Sequence, residues 1–119
     1  MKLNFDCMKT VILTLESNLK FGEIMTLDNL MEYPLVQSFA ENEVAHCLSQ
    51  LSSEEIIVCE MGTYISGSPY CSISDITPKG YKLCKALRDE SILSKIKPCL
   101  GEFASYAELI ISIIGLING

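Results

Sequence analysis

Phe5, Met8, Ile12, Leu15 and Leu19 recur at spacings of three and four, which is one face of an amphipathic helix. The spacing predicts a helix over about residues 5–18, with Asn4 or Asp6 as its cap. Lys20-Phe21-Gly22 breaks the pattern. Thr26 then caps a short helix that turns Leu27, Leu30 and Met31 inward, and Tyr33-Pro34 ends it, because the residue before proline avoids helical backbone. A third helix is expected over residues 40–53, with Val44, Cys47, Leu48 and Leu51 buried. Asn42, His46, Ser49, Gln50 and Ser53 fall on its opposite side. The period then changes. Ile56 to Cys59 is short and β-branched, Gly62, Gly67 and Pro69 mark a turn region, and Tyr70 to Ile76 alternates as a returning strand. Thr77 caps the next helix and Pro78 takes its first position, where a missing N–H costs nothing. That helix reaches about Arg88; SILSKIK adds a helical piece that stops at Pro98, and residues 103–117 form the last helix.

Three helices, a β-hairpin and C-terminal helices make a mainly helical α+β domain in the order of a winged helix-turn-helix. One domain over residues 1–119 is expected, with 1–100 as its core and 101–119 as an apolar terminal helix. The step from strand to helix, Ile76-Thr77-x-x-Gly80, looks like the wing exit of MarR- and PadR-type repressors. The opening MKLNFDC, the stretch FAENEVAHCLSQL and, above all, ISDITPKGYKLCKALRDESILSKIK resemble domain of unknown function 2513. Ala40 departs from that pattern where a serine-like cap is usual, and Leu93 where tryptophan is common. The resemblance implies a winged-helix-like fold and a setting in Gram-positive bacteria, their prophages and mobile elements. It implies no activity and transfers no functional residues.

The charge balance narrows the partners. Nine basic groups stand against fifteen acidic ones, for a net charge of -6. That disfavours nucleic acid, which is bound by Lys and Arg neutralising phosphates, and an anionic membrane surface. The charge is uneven: residues 1–60 carry three bases against ten acids, residues 61–100 six bases against three. An anionic partner would therefore be met by the second half. Six cysteines show no C-x-x-C pair, and His46 is the only histidine, so no metal or other cofactor is expected. Asp6 and Lys9 interrupt any leader-like apolar run, which points to the cytoplasm and to free thiols, at least four of them in the core. No enzyme is expected. His46 and Cys47 are adjacent in a helix and point about 100° apart, and no glycine-rich phosphate loop accompanies them.

Four features carry the candidate contacts. Asn42, His46, Ser49 and Gln50 would meet base edges if the third helix reads DNA. That helix holds no Lys or Arg, and Glu41, Glu43, Glu54 and Glu55 flank it, so a plain solvated face is the competing reading. Lys79, Lys82, Lys85 and Arg88 recur every three residues as a basic stripe, extended by Lys95 and Lys97, for phosphate, an acidic partner or solvent. Tyr64 in the wing either inserts at an interface or folds back on the hairpin. The last helix is apolar nearly all round. Leu109, Ile110, Ile113, Leu116 and Ile117 form one broad side, suited to packing on the first helix, and Ile111 and Ile114 another. Glu108 and a short apolar run exclude a membrane span. A homodimer follows as the expectation, with Ile110, Ile111, Ile114 and Ile117 as its contacts, and a protein partner beside it.

Overall fold

The computed structural model describes residues 2–118. Helix α1 (Phe5–Asn18) starts where Asn4 Oδ1 accepts the Cys7 N–H at 3.0 Å. It buries Phe5, Met8, Ile12 and Leu15 together with Cys7 and Val11, and Leu19 packs half-buried against the same core. Strand β1 (Met25–Thr26) follows, then α2 (Leu27–Leu30), opened by a capping box between Thr26 and Asn29. A 3-10 turn (Val36–Ser38) leads to α3 (Glu41–Ser53), whose buried residues include the four expected ones. Ala40 supplies no side-chain cap, and Glu41 and Glu43 in the first turn provide the negative charge favoured at a helix start.

Strands β2 (Ile57–Thr63) and β3 (Pro69–Ile76) form the hairpin, and β1 adds to β3, giving an antiparallel sheet in the order β1-β3-β2. Helices α4 (Pro78–Leu87) and α5 (Glu90–Ile96), a 3-10 helix (Lys97–Glu102) and α6 (Tyr106–Asn118) complete the described chain. The helical path runs past Pro98, where a stop was expected, because proline suits the first turn of the new 3-10 segment. The fold is thus mainly helical α+β.

α3 ends in an unusual way. Glu55 adopts a left-handed backbone, φ 59°, just past the last turn. The Ile56 N–H reaches Leu51 O at 2.9 Å and the Glu55 N–H reaches Ser52 O at 3.1 Å. That is a Schellman motif with glutamate where glycine is the usual residue. Directly after it the Ile56 carbonyl accepts both the N–H of Thr77, at 3.0 Å, and its hydroxyl, at 3.1 Å. Gly80, whose N–H is capped by Thr77 Oγ1 at 3.0 Å, rests on that same carbonyl. A β-carbon at residue 80 would lie well inside contact distance of the Ile56 oxygen and 2.6 Å from Cγ2 of Ile76. The Thr-Pro-x-Gly sequence therefore fastens the last turn of α3, both roots of the hairpin and the first turn of α4 at one point.

Hairpin register is set by its tip. The Gly67 N–H bonds Tyr64 O and the Tyr64 N–H bonds Ser68 O, both at 2.8 Å, with Gly67 at φ +91°. This is a three-residue loop with a left-handed glycine. It is centred one residue beyond Ile65, and a bulge lies between Val58 and Cys59. Cys59 consequently faces Ile73 and Cys71 faces Met61, so the two thiols are diagonal neighbours and not opposite each other, as a centre on Ile65 would have made them. All six thiols are free; Cys7, Cys47, Cys71 and Cys84 are buried and Cys59 and Cys99 half-buried. No helix among the described residues is long and apolar enough to cross a membrane.

Candidate functional site

The outward side of α3 is partly closed by the chain itself. Asn4, before α1, donates its amide to a Glu43 carboxylate oxygen, and its N–H bonds the Tyr106 hydroxyl at 2.9 Å. The Tyr106 ring meets His46 edge-on, with centroids 5.8 Å apart. Burial pushes the Tyr106 phenol up to about 12, so it stays a neutral hydrogen-bonding group. His46 is accordingly half-buried beside the start of α6. Asn42 is exposed, and Ser49 and Gln50 are half-buried on the remaining side of the helix. Asn4 and Tyr106 were not candidates from sequence, since nothing local signals a contact spanning most of the chain.

The basic stripe divides in two. Lys79 Nζ donates to Glu54 O at 3.0 Å, capping the carbonyl end of α3 where a cation is favoured. Arg88 pairs with Glu16 of α1 through Nε at 3.0 Å and a second nitrogen at 2.6 Å. It is the only ion pair among the described residues. Lys82 and Lys85 remain exposed and solvated. A groove of about 620 Å³ runs along the outer side of α1, past Thr10, Leu13 and Ser17, with Leu35 on its far wall and Arg88 at one end.

In the hairpin, Tyr64 is tilted against Tyr70 with ring centroids 5.1 Å apart, and Tyr70 lies across Gly62, which leaves room for the ring. Tyr64 thus folds back on the hairpin while keeping an exposed edge, and Ile65 at the tip is 110% exposed. Residues 57–76 contain no Lys or Arg.

α6 packs mainly on α4, with α5 and α3 also in contact, and not chiefly on α1 as its apolar side suggested. Ile110 is fully buried in the chain's own core with Leu109 and Ile113, so it offers nothing to a second molecule. Ile114 and Ile117 are half-buried against the core. Ile111, 61% exposed, and Leu116 stand on opposite margins of the outward side of α6, about 140° apart, with Glu108, Ser112 and Gly115 between them. The second side of α6 is therefore narrower than its sequence implied, because three neighbouring helices cover more of it than one could.

The thiols differ in environment. The Cys7 thiol against Cys47, and then burial, raise Cys47 well above the ordinary thiol range. Burial, then the nearby Glu16, pushes Cys84 up to about 12. Cys59 behaves oppositely: the Cys71 thiol holds it down, with help from the Ser52 hydroxyl against partial burial, at about 7.

The family model described as hypothetical protein (DUF2513) matches residues 2–106. No curated protein and no solved structure matches the chain. With all of α1 to α5 and the sheet inside that match, the chain belongs to the DUF2513 family of hypothetical proteins.

Proposed function

We propose that the protein is a non-enzymatic winged-helix module that acts by binding another protein, in the prophage or mobile-element setting that its resemblance implies. The order α1-β1-α2-α3-β2-β3 with a β1-β3-β2 sheet supports the winged-helix reading. The occupied face of α3 carries the choice of partner. His46 and Glu43 are engaged by Tyr106 and Asn4, Lys79 and Arg88 are bound within the fold, and the wing has no base. Of the bases that could neutralise phosphates, Lys79 and Arg88 already have partners within the fold, and the exposed Lys82 and Lys85 on α4 find no base in the hairpin to extend them. Large apolar side chains instead stand exposed at the wing tip and after α1, as anchors of protein interfaces do.

The test is a fluorescence-anisotropy titration with mixed-sequence duplex DNA at physiological salt. Dissociation constants no tighter than about 10⁻⁵ M, within the nonspecific range, are expected. Nanomolar binding with a steep salt slope would replace this reading with that of a dimeric, sequence-specific DNA-binding regulator. Asn42, exposed at the start of α3, is the observation that favours that second reading.

A homodimer through the Ile111–Ile114 edge of α6 is part of the proposal. A twofold contact there would cover the apolar edge with no further sequence. Sedimentation of the full chain at micromolar concentration tests it; a monomer would remove the dimer and leave protein binding to the other surfaces.

A further inference from the structure

Phe21 is the most exposed aromatic side chain of the protein, at 105%. It is held there by an ordered turn: the Glu23 N–H bonds Lys20 O at 3.0 Å, and Gly22 takes φ +84°. This is the positive φ that a type II turn needs at its third residue. Tyr81, in the first turns of α4, is 51% exposed and lines the same shallow depression as Phe21, with Lys20 and Asp75 at its edge. Val58, the cross-strand neighbour of Asp75, adds an exposed aliphatic side chain. Tyr81, Lys85 and Arg88 follow one another at spacings of four and three and share a side of α4. Arg88 closes this surface on α1 through Glu16, while Lys20, Lys82 and Lys85 form no ion pair among the described residues.

We propose that this face, formed by Lys20, Phe21, Tyr81, Lys82 and Lys85, docks an acidic segment of a partner protein. An apolar side chain of that segment seats between Phe21 and Tyr81, and its carboxylates meet the three lysines. The inference rests on the protein-binding reading above and names the partner class.

Charge complementarity selects the occupant. Lys82 and Lys85 come from the stretch that carries six bases against three acids, and with Lys20 they outnumber the neighbouring Glu23 and Asp75, while Glu16 is already paired with Arg88, so an acidic segment is attracted here. Aromatic anchors ringed by long amphipathic side chains are the composition of an interface centre. Glu16, Glu23 and Asp75 are interleaved with the lysines. A peptide can space its carboxylates to avoid them; a nucleic-acid strand, charged at every nucleotide, cannot.

The experiment uses the full chain, isotope-labelled for amide NMR, titrated with a short peptide alternating Glu with Leu and Phe. The same peptide with Lys for Glu, and an oligothymidine, are the comparators. The acidic peptide is expected to shift amides in residues 19–23 and 81–88. Phe21→Ala with Tyr81→Ala should weaken it about tenfold, and Lys85→Glu should weaken it more at low salt than at high salt. All three positions are exposed, and thermal unfolding of the variants confirms that they fold. Absence of shifts, shifts mapping elsewhere, indifference to the aromatic substitutions, or stronger binding of the oligothymidine would each overturn the proposal. Failure of the peptide with duplex binding still weak removes this face and leaves the protein-binding reading standing.

Discussion

Gly80→Ala is the substitution that most directly probes how the domain is joined. An added methyl would collide with the Ile56 carbonyl oxygen and approach Cγ2 of Ile76 to 2.6 Å. One of these is backbone and cannot rotate away, so the first turn of α4 must retreat by roughly an ångström to restore ordinary contact. That retreat lengthens the two hydrogen bonds that Thr77 gives Ile56, now 3.0 and 3.1 Å. Overpacking costs about 1–3 kcal/mol, and each weakened hydrogen bond up to about 1 kcal/mol. Alanine returns about 1 kcal/mol in helix propensity. The net expectation is a loss of about 2 kcal/mol, a large share of a small domain's stability. Urea unfolding followed by circular dichroism reads it as a midpoint lower by about 1 M, for a slope of about 2 kcal/mol per molar. Gly115→Ala is the control. It lies exposed in α6 with nothing within 4 Å of its would-be β-carbon, so the midpoint should rise. If Gly80→Ala unfolds at or above the midpoint of the unmodified chain, the close packing at Ile56 is refuted.

Other outcomes follow from features already described. Glu55→Gly removes the left-handed strain of a residue at φ 59° and should raise stability by about 1 kcal/mol; a midpoint that falls would mean the glutamate side chain contributes more than its backbone costs. Cys59 should be the first thiol alkylated by iodoacetamide, with a rate that climbs through about pH 7 as the thiolate forms. Cys71→Ala, which removes the donating thiol, should move that climb to higher pH, and mass mapping of the labelled peptide checks both. Ile111→Glu should leave the fold intact and dissociate any dimer, whereas Ile110→Glu, placing a charge in a fully buried position, should prevent folding; equal behaviour of the two by sedimentation and circular dichroism would contradict the placement of α6.

Helices α1, α3 and α4 were legible because each has one apolar face and a distinct local start: Asn4, the change of pattern at residue 40, and Thr77-Pro78. β1 was not, since two residues carry no period, and it exists only because Met25 pairs with Ile73. The diagonal placement of Cys59 and Cys71 depends on a loop centred on residue 66 and closed by a left-handed Gly67, which a pattern of alternating residues does not encode. In α6 an all-round apolar sequence gave no means of telling Ile110 from Ile111, and only the positions of α4, α5 and α3 separate them. The surroundings of the candidate contacts were the least legible: a side chain's partner across the fold, Tyr106 for His46 or Glu16 for Arg88, leaves no trace in its own neighbourhood. Phe21 carried a signal of another kind, an aromatic residue in a polar turn outside every apolar period.

The fastening at Ile56 also decides how the hairpin can move. To swing as a rigid arm it would have to break both bonds from Thr77 and lift Gly80 off the carbonyl beneath it. Torsion beyond the bulge at Val58 and Cys59 requires neither, because the ladder is already interrupted there. The tip that bears Ile65 is thus free to adjust while the root stays still, and α4 does not sense the adjustment. On the proposed protein-binding reading, the hairpin tip and the Phe21–Tyr81 face would be mechanically independent handles, by which two partners, or two stretches of one, could be held at once without either having to yield.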